Sequence, residues 1–282
     1  MSATQDDGWS VRQPGSFLAF VHIEKAAGTT FIHILRRNFL FRYLDVRPLS
    51  PGSNGVFLAR DLRASLKVNP LIQAYGGHSV RPIGDLCEGF PGTRFVTILR
   101  DPVRRYISQF LYGNAVLNLN NTFERFLENE NTHNFQTRKI AGSSAVETAK
   151  SVLAKNFLAV GTVEQFDAFL AVLAARLHPR RFDTWHESRN VGAYARAEAE
   201  LVSRFEKPIR TVNLADIELY EHVRDVSHAQ SRALSAKRPA TSSSRLWRLS
   251  KSYLDGALRK LYYEPVTGAM RRVAGLPMKG SY

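Results

Sequence analysis

Residues 17–31 carry the strongest structural signal in this chain, and they run Phe17-Leu-Ala-Phe-Val-His-Ile-Glu-Lys-Ala-Ala-Gly-Thr-Thr-Phe31. The apolar run 17–23 predicts a buried strand, although the polar His22 stands just inside its end. A turn of small residues follows, and two threonines then begin a helix whose apolar face carries Phe31 and Ile34. A strand, a tight loop and a helix N-terminus commonly bind phosphate in α/β proteins, because backbone N–H groups and the helix dipole point at the anion.

The loop in this segment places its lysine before its only glycine. Lys25 adds a mobile positive charge, and Thr29 and Thr30 add hydroxyl donors. A Walker P-loop instead places lysine directly after its second glycine and follows it with Ser or Thr, whose hydroxyl reaches Mg²⁺. The order found here, with Lys25 ahead of Gly28, argues against an ordinary ATPase or kinase. On this segment alone, the alternative is an ordinary strand-turn-helix with a solvated lysine.

A second segment, residues 93–112, repeats the same architecture. Its run 95–99 is apolar and rich in β-formers, and Arg100 follows at the carboxyl end. An Asp-Pro pair then suits the cap and the first turn of a helix. Ser108 lies about two turns into that helix, so a strand-end guanidinium and a helix hydroxyl are expected to converge on one anion. The alternative for this segment is a capped surface helix with solvated arginines.

Together the two segments resemble the PAPS-dependent sulfotransferases, most closely the branch of the heparan sulfate and uronyl 2-O-sulfotransferases and their bacterial relatives. PAPS is 3′-phosphoadenosine 5′-phosphosulfate, the activated sulfate donor. The resemblance is carried by His22-Ile-Glu-Lys-Ala-Ala-Gly-Thr-Thr30 and Arg100-Asp-Pro-Val-Arg-Arg-Tyr-Ile-Ser108. In that family the first segment holds the 5′-phosphosulfate and the second holds the 3′-phosphate. The resemblance therefore implies a PAPS site formed by Lys25, Ala26, Ala27, Gly28, Thr29, Thr30, Arg100 and Ser108.

Further segments extend the resemblance over roughly residues 15–225. Tyr75-Gly-Gly-His-Ser79 is similar to the family's Gly-His segment, which implies that His78 is the catalytic base. Lys25 is then the second catalytic residue, which stabilises the leaving phosphate. Asn134-Phe-Gln-Thr-Arg138 is similar to the family's segment near the acceptor, which implies that Gln136 and Arg138 bind the substrate.

The chain departs from the family pattern at two positions. Glu24 replaces the usual proline, and Ala26 replaces a common threonine. A carboxylate beside a phosphosulfate site is unfavourable unless it points away or pairs with a base. Later in the chain, Asp216 is expected to cap the start of a helix rather than to act in catalysis.

Length and composition indicate one α/β domain with elaborations, since 282 residues with 44% hydrophobic residues can bury a substantial core. The single Cys87 excludes an intramolecular disulfide and suits a reducing compartment. No apolar run reaches the roughly 18 residues of a membrane span, and the N-terminal residues lack the features of a signal peptide. Animal relatives in the Golgi lumen need a membrane anchor, so we expect a cytoplasmic and bacterial protein.

Positive charge is concentrated near the end of the chain. The formal net charge is +14, and residues 224–282 hold 12 Lys and Arg against 3 Asp and Glu. The run 244–262 shows a helical pattern with an apolar stripe, which predicts a basic helix that packs on the domain or a partner chain, or binds an anionic membrane surface. We therefore divide the chain into a PAPS-dependent sulfotransferase domain at 1–238 and a basic C-terminal helical extension at 239–282.

The order of the predicted elements gives the fold class. Strands are predicted at 17–23, 43–46, 71–75, 94–99, 157–160 and 209–212, and helices at 29–39, 57–67, 102–112, 122–129, 134–141, 146–155, 164–177, 193–205 and 214–234. Strands that alternate with helices predict an α/β fold, P-loop-like and three-layered, with a mostly parallel central sheet flanked by helices. Anionic ligands gather at the carboxyl ends of such strands, where Lys25, His78 and Arg100 are expected.

The favoured function is transfer of a sulfuryl group from PAPS to a hydroxyl of an acceptor, for which the resemblance implies a carbohydrate. No metal is expected, because no cluster of Cys, His or carboxylate residues has metal-ligand spacing. Two alternatives stay open. A P-loop-type phosphotransferase would require Mg²⁺, and a non-catalytic binder of a polyanion or nucleic acid would be indifferent to His78. Nucleic acid is the less expected partner of the two.

Overall fold

The computed structural model describes residues 10–49, 53–177, 182–186 and 194–235, together with the single residues Tyr262, Pro265, Gly268 and Ala269. The described strands form one sheet, with β1 at Ser16–Val21, β2 at Tyr43–Asp45, β3 at Ala74–Gly77, β4 at Gly92–Leu99 and β5 at Phe157–Thr162. Their order is β2-β3-β1-β4-β5, and each neighbouring pair is parallel. The predicted α/β fold with a parallel central sheet is confirmed.

Helices flank this sheet in the described part of the chain. They are α1 (Gly28–Phe39), α2 (Ala59–Val68), α3 (Asp85–Gly89), α4 (Pro102–Leu117), α5 (Phe123–Glu128), α6 (Phe135–Ala141), α7 (Val146–Asn156), α8 (Phe166–Arg176), α9 (Ala195–Val212) and α10 (Leu214–Ser235). The basic extension predicted at 239–282 lies outside the described residues, apart from the four single residues named above.

The central strand β1 is buried along its whole length. Its alternate residues point to opposite faces, as strand geometry requires. Leu18 and Phe20 join one apolar cluster with residues of α1 and α8. Phe17, Ala19 and Val21 join a second cluster with residues of α2 and α3. Helices therefore cover both faces of β1, which explains why its sequence is continuously apolar instead of alternating.

The strand order creates a crevice at the carboxyl ends of β1 and β4. The chain leaves β1 through α1 toward β2 at one edge of the sheet, and it leaves β4 through α4 toward β5 at the other edge. Two neighbouring strands whose connections run in opposite directions leave a gap between the loops that follow them. Open α/β sheets bind their ligands in such a gap. The two predicted phosphate segments follow these two strands.

The predicted strand at 209–212 is wrong, because α9 continues to Val212 with Pro208 inside it. Leu201, Phe205 and Ile209 follow one another at steps of four and pack in one cluster against α4. The helical period therefore runs through the segment. A short apolar run does not distinguish a strand from a buried helix by itself, and here the longer period decides.

Strand β3 ends two residues later than the predicted strand at 71–75. Gly76 and Gly77 complete it by pairing with Phe20 and Val21 of β1. A Cβ atom at Gly76 would lie 2.8 Å from Phe20 Cβ, so this close approach explains a glycine inside the strand. The consequence for the site is that His78 follows the strand directly, at its carboxyl end.

No helix in the described ranges is long and apolar enough to cross a membrane.

Candidate active site

The loop between β1 and α1 has an unusual backbone. Lys25 and Ala27 both adopt left-handed conformations, with φ angles of 66° and 57°, although neither is glycine. Ala27 is the N-cap residue of α1, and its side chain makes no capping hydrogen bond. The first backbone N–H groups of the helix therefore receive no acceptor from their own cap. Strained residues beside an uncapped helix N-terminus are features expected of an anion site.

Lys25 and Arg100 meet at the crevice between β1 and β4. The guanidinium of Arg100 donates from Nη1 to the carbonyl oxygen of Lys25 at 3.3 Å. The ammonium group of Lys25 lies 4.0 Å from the centroid of the Tyr112 ring on α4. Burial lowers the pKa of Lys25, and the charge of Arg100 lowers it further. The two segments that the sequence proposed for phosphate binding are therefore joined in space.

Arg100 is fixed by a buried glutamine on α6. Its backbone N–H donates to Gln136 Oε1 at 3.0 Å, and the Gln136 amide donates to the Arg100 carbonyl at 3.0 Å. The guanidinium also lies 3.6 Å from a carboxylate oxygen of Glu198 on α9. As predicted, Asp101 caps α4 by accepting from Arg104 N at 2.9 Å, with proline in the first turn. Gln136 thus fixes the backbone of Arg100, and the Asp101 cap fixes the backbone that follows it.

The remaining predicted binding residues occupy different environments. Ala26 is buried, Thr29 is exposed, and Thr30 and Ser108 are partly exposed. Ser108 lies in the second turn of α4. Their predicted contacts with PAPS stay predictions.

The two residues predicted near the acceptor differ from each other. Gln136 is completely buried, with both ends of its amide on the Arg100 backbone. Arg138 is exposed, and its guanidinium donates to the carbonyl oxygen of Glu130 at 3.0 Å. In this structure Gln136 therefore holds Arg100, while Arg138 lies at the surface.

Four residues, His22, Glu24, His78 and Lys139, form a cluster beside the loop, which we call the histidine cluster. The ring of His78 stacks on the ring of His22, with centroids 3.9 Å apart. Glu24 Oε1 lies 3.0 Å from His78 Nδ1. The Lys139 ammonium lies 3.1 and 3.3 Å from the two Glu24 oxygens and 2.7 Å from the His78 carbonyl oxygen. Glu24 thus pairs with a base, which was one of the two arrangements expected to make its presence tolerable.

Burial and pairing set the charges in the histidine cluster. Burial, followed by the effect of His78, lowers the pKa of His22 to about 3, so His22 is neutral at pH 7. Burial raises the pKa of Glu24, but the hydrogen bond from His78 and the charge of Lys139 outweigh it and lower the pKa to about 2. Burial lowers the pKa of Lys139 to about 8, against the opposing effect of Glu24. Between pH values of about 2 and 8, both members of the Glu24–Lys139 ion pair are charged.

Helix α6 is positioned by the start of α10. The buried carboxylate of Asp216 accepts from the backbone N–H groups of Gln136 and Thr137, at 3.1 and 2.8 Å, and from the Thr137 hydroxyl at 2.8 Å. The backbone N–H of Asn134 donates to Asn213 Oδ1 at 2.9 Å, and Asn134 Oδ1 accepts from the backbone N–H of Ala215 at 3.0 Å, so further hydrogen bonds join the two helix starts. Asp216 was expected to cap the start of its own helix, and the structure differs: its carboxylate caps the start of α6 instead.

Arg105 is a buried cation close to these groups. It is 1% exposed on α4, and its guanidinium lies 4.9 Å from the Phe135 ring centroid. Its Nε and Nη1 atoms have no hydrogen-bond partner among the described residues. Burial lowers the pKa of Arg105, and the charge of Asp216 opposes this effect. Arg105 is therefore an incompletely satisfied cation close enough to Arg100 for the two charges to interact.

Sequence reasoning did not single out Lys139, Arg105 or Tyr112. Lys139 follows Gln136 by three residues, a spacing that places both on one side of α6. That spacing was a usable signal for Lys139. The sequence offers no comparable signal for Tyr112, because its contact with Lys25 depends on the packing of α4.

In the described ranges, no group of three or more His, Cys, Asp or Glu side chains is arranged to hold a metal ion. No family model matches this chain, and no curated protein shows significant similarity to it.

Proposed function

We propose that this protein is a sulfotransferase that uses PAPS and sulfates a hydroxyl group of an acceptor, of which a carbohydrate is the favoured class. The observation that carries the proposal is the meeting of the two segments predicted to bind anions at one crevice, where Arg100 donates to the Lys25 carbonyl at 3.3 Å. PAPS has two separate anionic ends, a 5′-phosphosulfate and a 3′-phosphate. A site with two cationic segments from neighbouring strands suits such a molecule.

The donors present fit this pair of anionic groups. The uncapped N-terminus of α1 and the ammonium of Lys25 suit the 5′-phosphosulfate. The guanidinium of Arg100 suits the 3′-phosphate, because arginine can donate two parallel hydrogen bonds to phosphate. The unsatisfied Nε and Nη1 atoms of Arg105 add positive charge that an anion nearby would compensate. The Glu198 carboxylate lies 3.6 Å from the Arg100 guanidinium and would give way to a bound phosphate.

Residues of this chain account for the two charge movements of the reaction. Bound PAPS would supply an activated sulfuryl group whose leaving group is a phosphate. His78 would accept the proton of the acceptor hydroxyl as the new oxygen–sulfur bond forms. Lys25 would stabilise the negative charge on the bridging oxygen as the bond from sulfur to the departing phosphate breaks. The products would be a sulfate ester and adenosine 3′,5′-bisphosphate, with the proton on His78.

The proposal assigns different roles to the residues of the acceptor segment. Arg138, exposed at the edge of α6, would contact an acidic acceptor, since its guanidinium suits the carboxylate of a uronic acid. Gln136 would act through Arg100, because both ends of its amide are bonded to the Arg100 backbone.

A transfer assay with radiolabelled PAPS and a panel of polysaccharides with and without uronic acid tests the proposal. We expect label in at least one polysaccharide. Lys25→Met and His78→Ala should each lower transfer by about 10²–10⁴-fold. Lys67→Met is the matched control, because Lys67 is exposed on α2. Label transfer that survives both site variants unchanged would contradict the assigned roles.

The net charge of +14 supports a second candidate, a non-catalytic binder of polyanions. Such a protein would bind heparin-like chains equally well with His78 intact or replaced, and it would transfer no label. We include a location in the bacterial cytoplasm in the main proposal, supported by the free thiol of Cys87.

A further inference from the structure

We propose that Glu24 and Lys139 are positioning residues for His78, and that they fix its ring with the proton on Nδ1 and the basic lone pair on Nε2. The catalytic role that this inference gives to His78 rests on the proposed function. Its structural content concerns the ring of His78 and is measurable without any substrate.

The contact between Glu24 and His78 determines which nitrogen carries the proton. Glu24 Oε1 lies 3.0 Å from His78 Nδ1. With its pKa lowered to about 2, Glu24 is ionised at neutral pH and can only accept a hydrogen bond. An Nδ1 lone pair that faced this carboxylate at 3.0 Å would be repelled, so a neutral His78 is expected to carry its single proton on Nδ1, which leaves Nε2 as the atom able to accept a proton from a substrate. The side chain of His78 is 38% exposed, so solvent reaches it.

Lys139 binds both the Glu24 carboxylate and the backbone of His78. Its ammonium donates to the Glu24 carboxylate at 3.1 Å and to the His78 carbonyl oxygen at 2.7 Å. One cation thus fixes the carboxylate that orients the ring and the backbone that carries it. The side chain of Lys139 is 3% exposed, so solvent does not compete for these contacts. A buried lysine with a full set of acceptors has little freedom to move, and it restricts its partners in the same way.

Neighbouring groups confine the carboxylate and the ring to this geometry. His22 stacks on the His78 ring at 3.9 Å and restricts the ring plane. Arg81 faces the same region, because its guanidinium donates to the His78 carbonyl oxygen at 2.7 Å. Burial lowers the pKa of Arg81, and the charge of Glu24 opposes this effect. Glu24 therefore faces His78, Lys139, Arg81 and the neutral His22.

This arrangement explains why a carboxylate is tolerated in an anion-binding loop. The charge of Glu24 is matched by buried Lys139 and not by the cations of the crevice, Lys25 and Arg100. During transfer, a proton arriving at Nε2 would turn His78 into a cation whose Nδ1 lies 3.0 Å from the Glu24 carboxylate. The positive charge would then be stabilised where it forms, which is how a carboxylate assists a histidine base.

Nitrogen-15 NMR of the imidazole groups tests the inference directly, on the full-length protein without ligand. In the wild type at neutral pH, we expect His78 to show the proton on Nδ1. In Glu24→Ala the tautomer should change toward Nε2–H, which a free histidine side chain favours in water. Lys139→Met should produce a partial change in the same direction. A wild-type His78 that carries its proton on Nε2, or a Glu24→Ala spectrum identical to the wild type, would overturn the inference.

An exposed ion pair of the same composition provides the control. Lys150 on α7 lies 2.7 Å from Glu147, whose side chain is 83% exposed. Glu147→Ala and Lys150→Met should leave the His78 spectrum unchanged. A change in the control variants as large as in Glu24→Ala would show a general effect of charge and would count against a positioning role.

Kinetics then separate this inference from the proposed function. Glu24→Ala should lower kcat for sulfuryl transfer by roughly 10- to 100-fold, part of the contribution of a positioned base, with the KM for PAPS within about twofold of the wild type. A loss confined to the KM for PAPS would contradict the positioning role. If the wild type transfers no label but shows the Nδ1–H tautomer and its dependence on Glu24, the proposed reaction fails while the positioning of His78 stands.

Discussion

Replacing Gly28 with alanine should destabilise the protein, because a histidine ring closes the space beside this residue. A Cβ atom at Gly28 would lie 1.8 Å from His22 Nε2, whereas ordinary van der Waals contact begins at 3.4 Å. The His22 ring cannot easily move away, because it stacks on two other rings, with its centroid 5.3 Å from that of Phe20 and 3.9 Å from that of His78. Overpacking of this kind costs about 1–3 kcal/mol, and the helix propensity of alanine recovers at most about 1 kcal/mol. We expect the free energy of unfolding to fall by about 1–2 kcal/mol.

Urea unfolding followed by circular dichroism measures this change, and a second substitution identifies its cause. In a His22→Ala background the obstacle is gone, so Gly28→Ala should be neutral or mildly stabilising. The two substitutions should therefore couple by about 1–3 kcal/mol. Gly113→Ala is the control, because that helical position meets the flexible side chain of Leu119 at 3.1 Å. If Gly28→Ala matches the wild type while His22 is intact, the stacked placement of His22 is wrong.

Three further predictions follow from buried groups of the site. Burial lowers the pKa of His22 from 6.5 to about 3, so the unfolded chain binds a proton that the native state does not, and stability should fall as the pH drops through that window. His22→Gln should flatten this loss in acid unfolding, and imidazole NMR should show a wild-type His22 that stays neutral down to about pH 3. Gln136→Leu leaves the N–H and C=O groups of Arg100 without their side-chain partner, so calorimetry should show affinity for adenosine 3′,5′-bisphosphate reduced about tenfold, with circular dichroism unchanged. Asp216→Ala removes three hydrogen bonds to the start of α6 and should lower the free energy of unfolding by about 2–4 kcal/mol. Glu218→Ala is the control, because Glu218 is exposed, and it should change the free energy of unfolding by no more than about 0.5 kcal/mol. Equal effects of the two substitutions would contradict the capping role of Asp216.

The parts of the fold that the sequence predicts well are those with local causes. The apolar run of β1 and the Asp-Pro start of α4 each follow from neighbouring residues, and both are found in the structure. The strand at 209–212 is the counterexample. Its apolar residues belong to the longer period of α9, whose face packs on α4, and that packing is a tertiary property.

The site shows the same division between local and distant causes. The loop that carries Lys25 and the strand end that carries Arg100 can each be recognised from the local sequence. The contact between them joins residues 75 positions apart, which a local pattern does not predict. The ion pair of Glu24 and Lys139 joins residues 115 positions apart in the sequence, so no local pattern predicts it. The sequence left open whether Glu24 points away from the site or pairs with a base, and only the packing of α6 shows that it pairs with Lys139.

Recognition of the 3′-phosphate separates PAPS from other nucleotides, so its measurement tests the account most directly. We expect isothermal titration calorimetry to show that the wild type binds adenosine 3′,5′-bisphosphate more tightly than 5′-AMP, and more tightly than ATP with Mg²⁺. Arg100→Ala should remove most of the advantage of the bisphosphate and leave 5′-AMP binding nearly unchanged, because Arg100 is assigned to the 3′-phosphate alone. Tighter binding of ATP with Mg²⁺ by the wild type, or equal losses for both adenosine nucleotides in Arg100→Ala, would contradict the assignment of this crevice to PAPS.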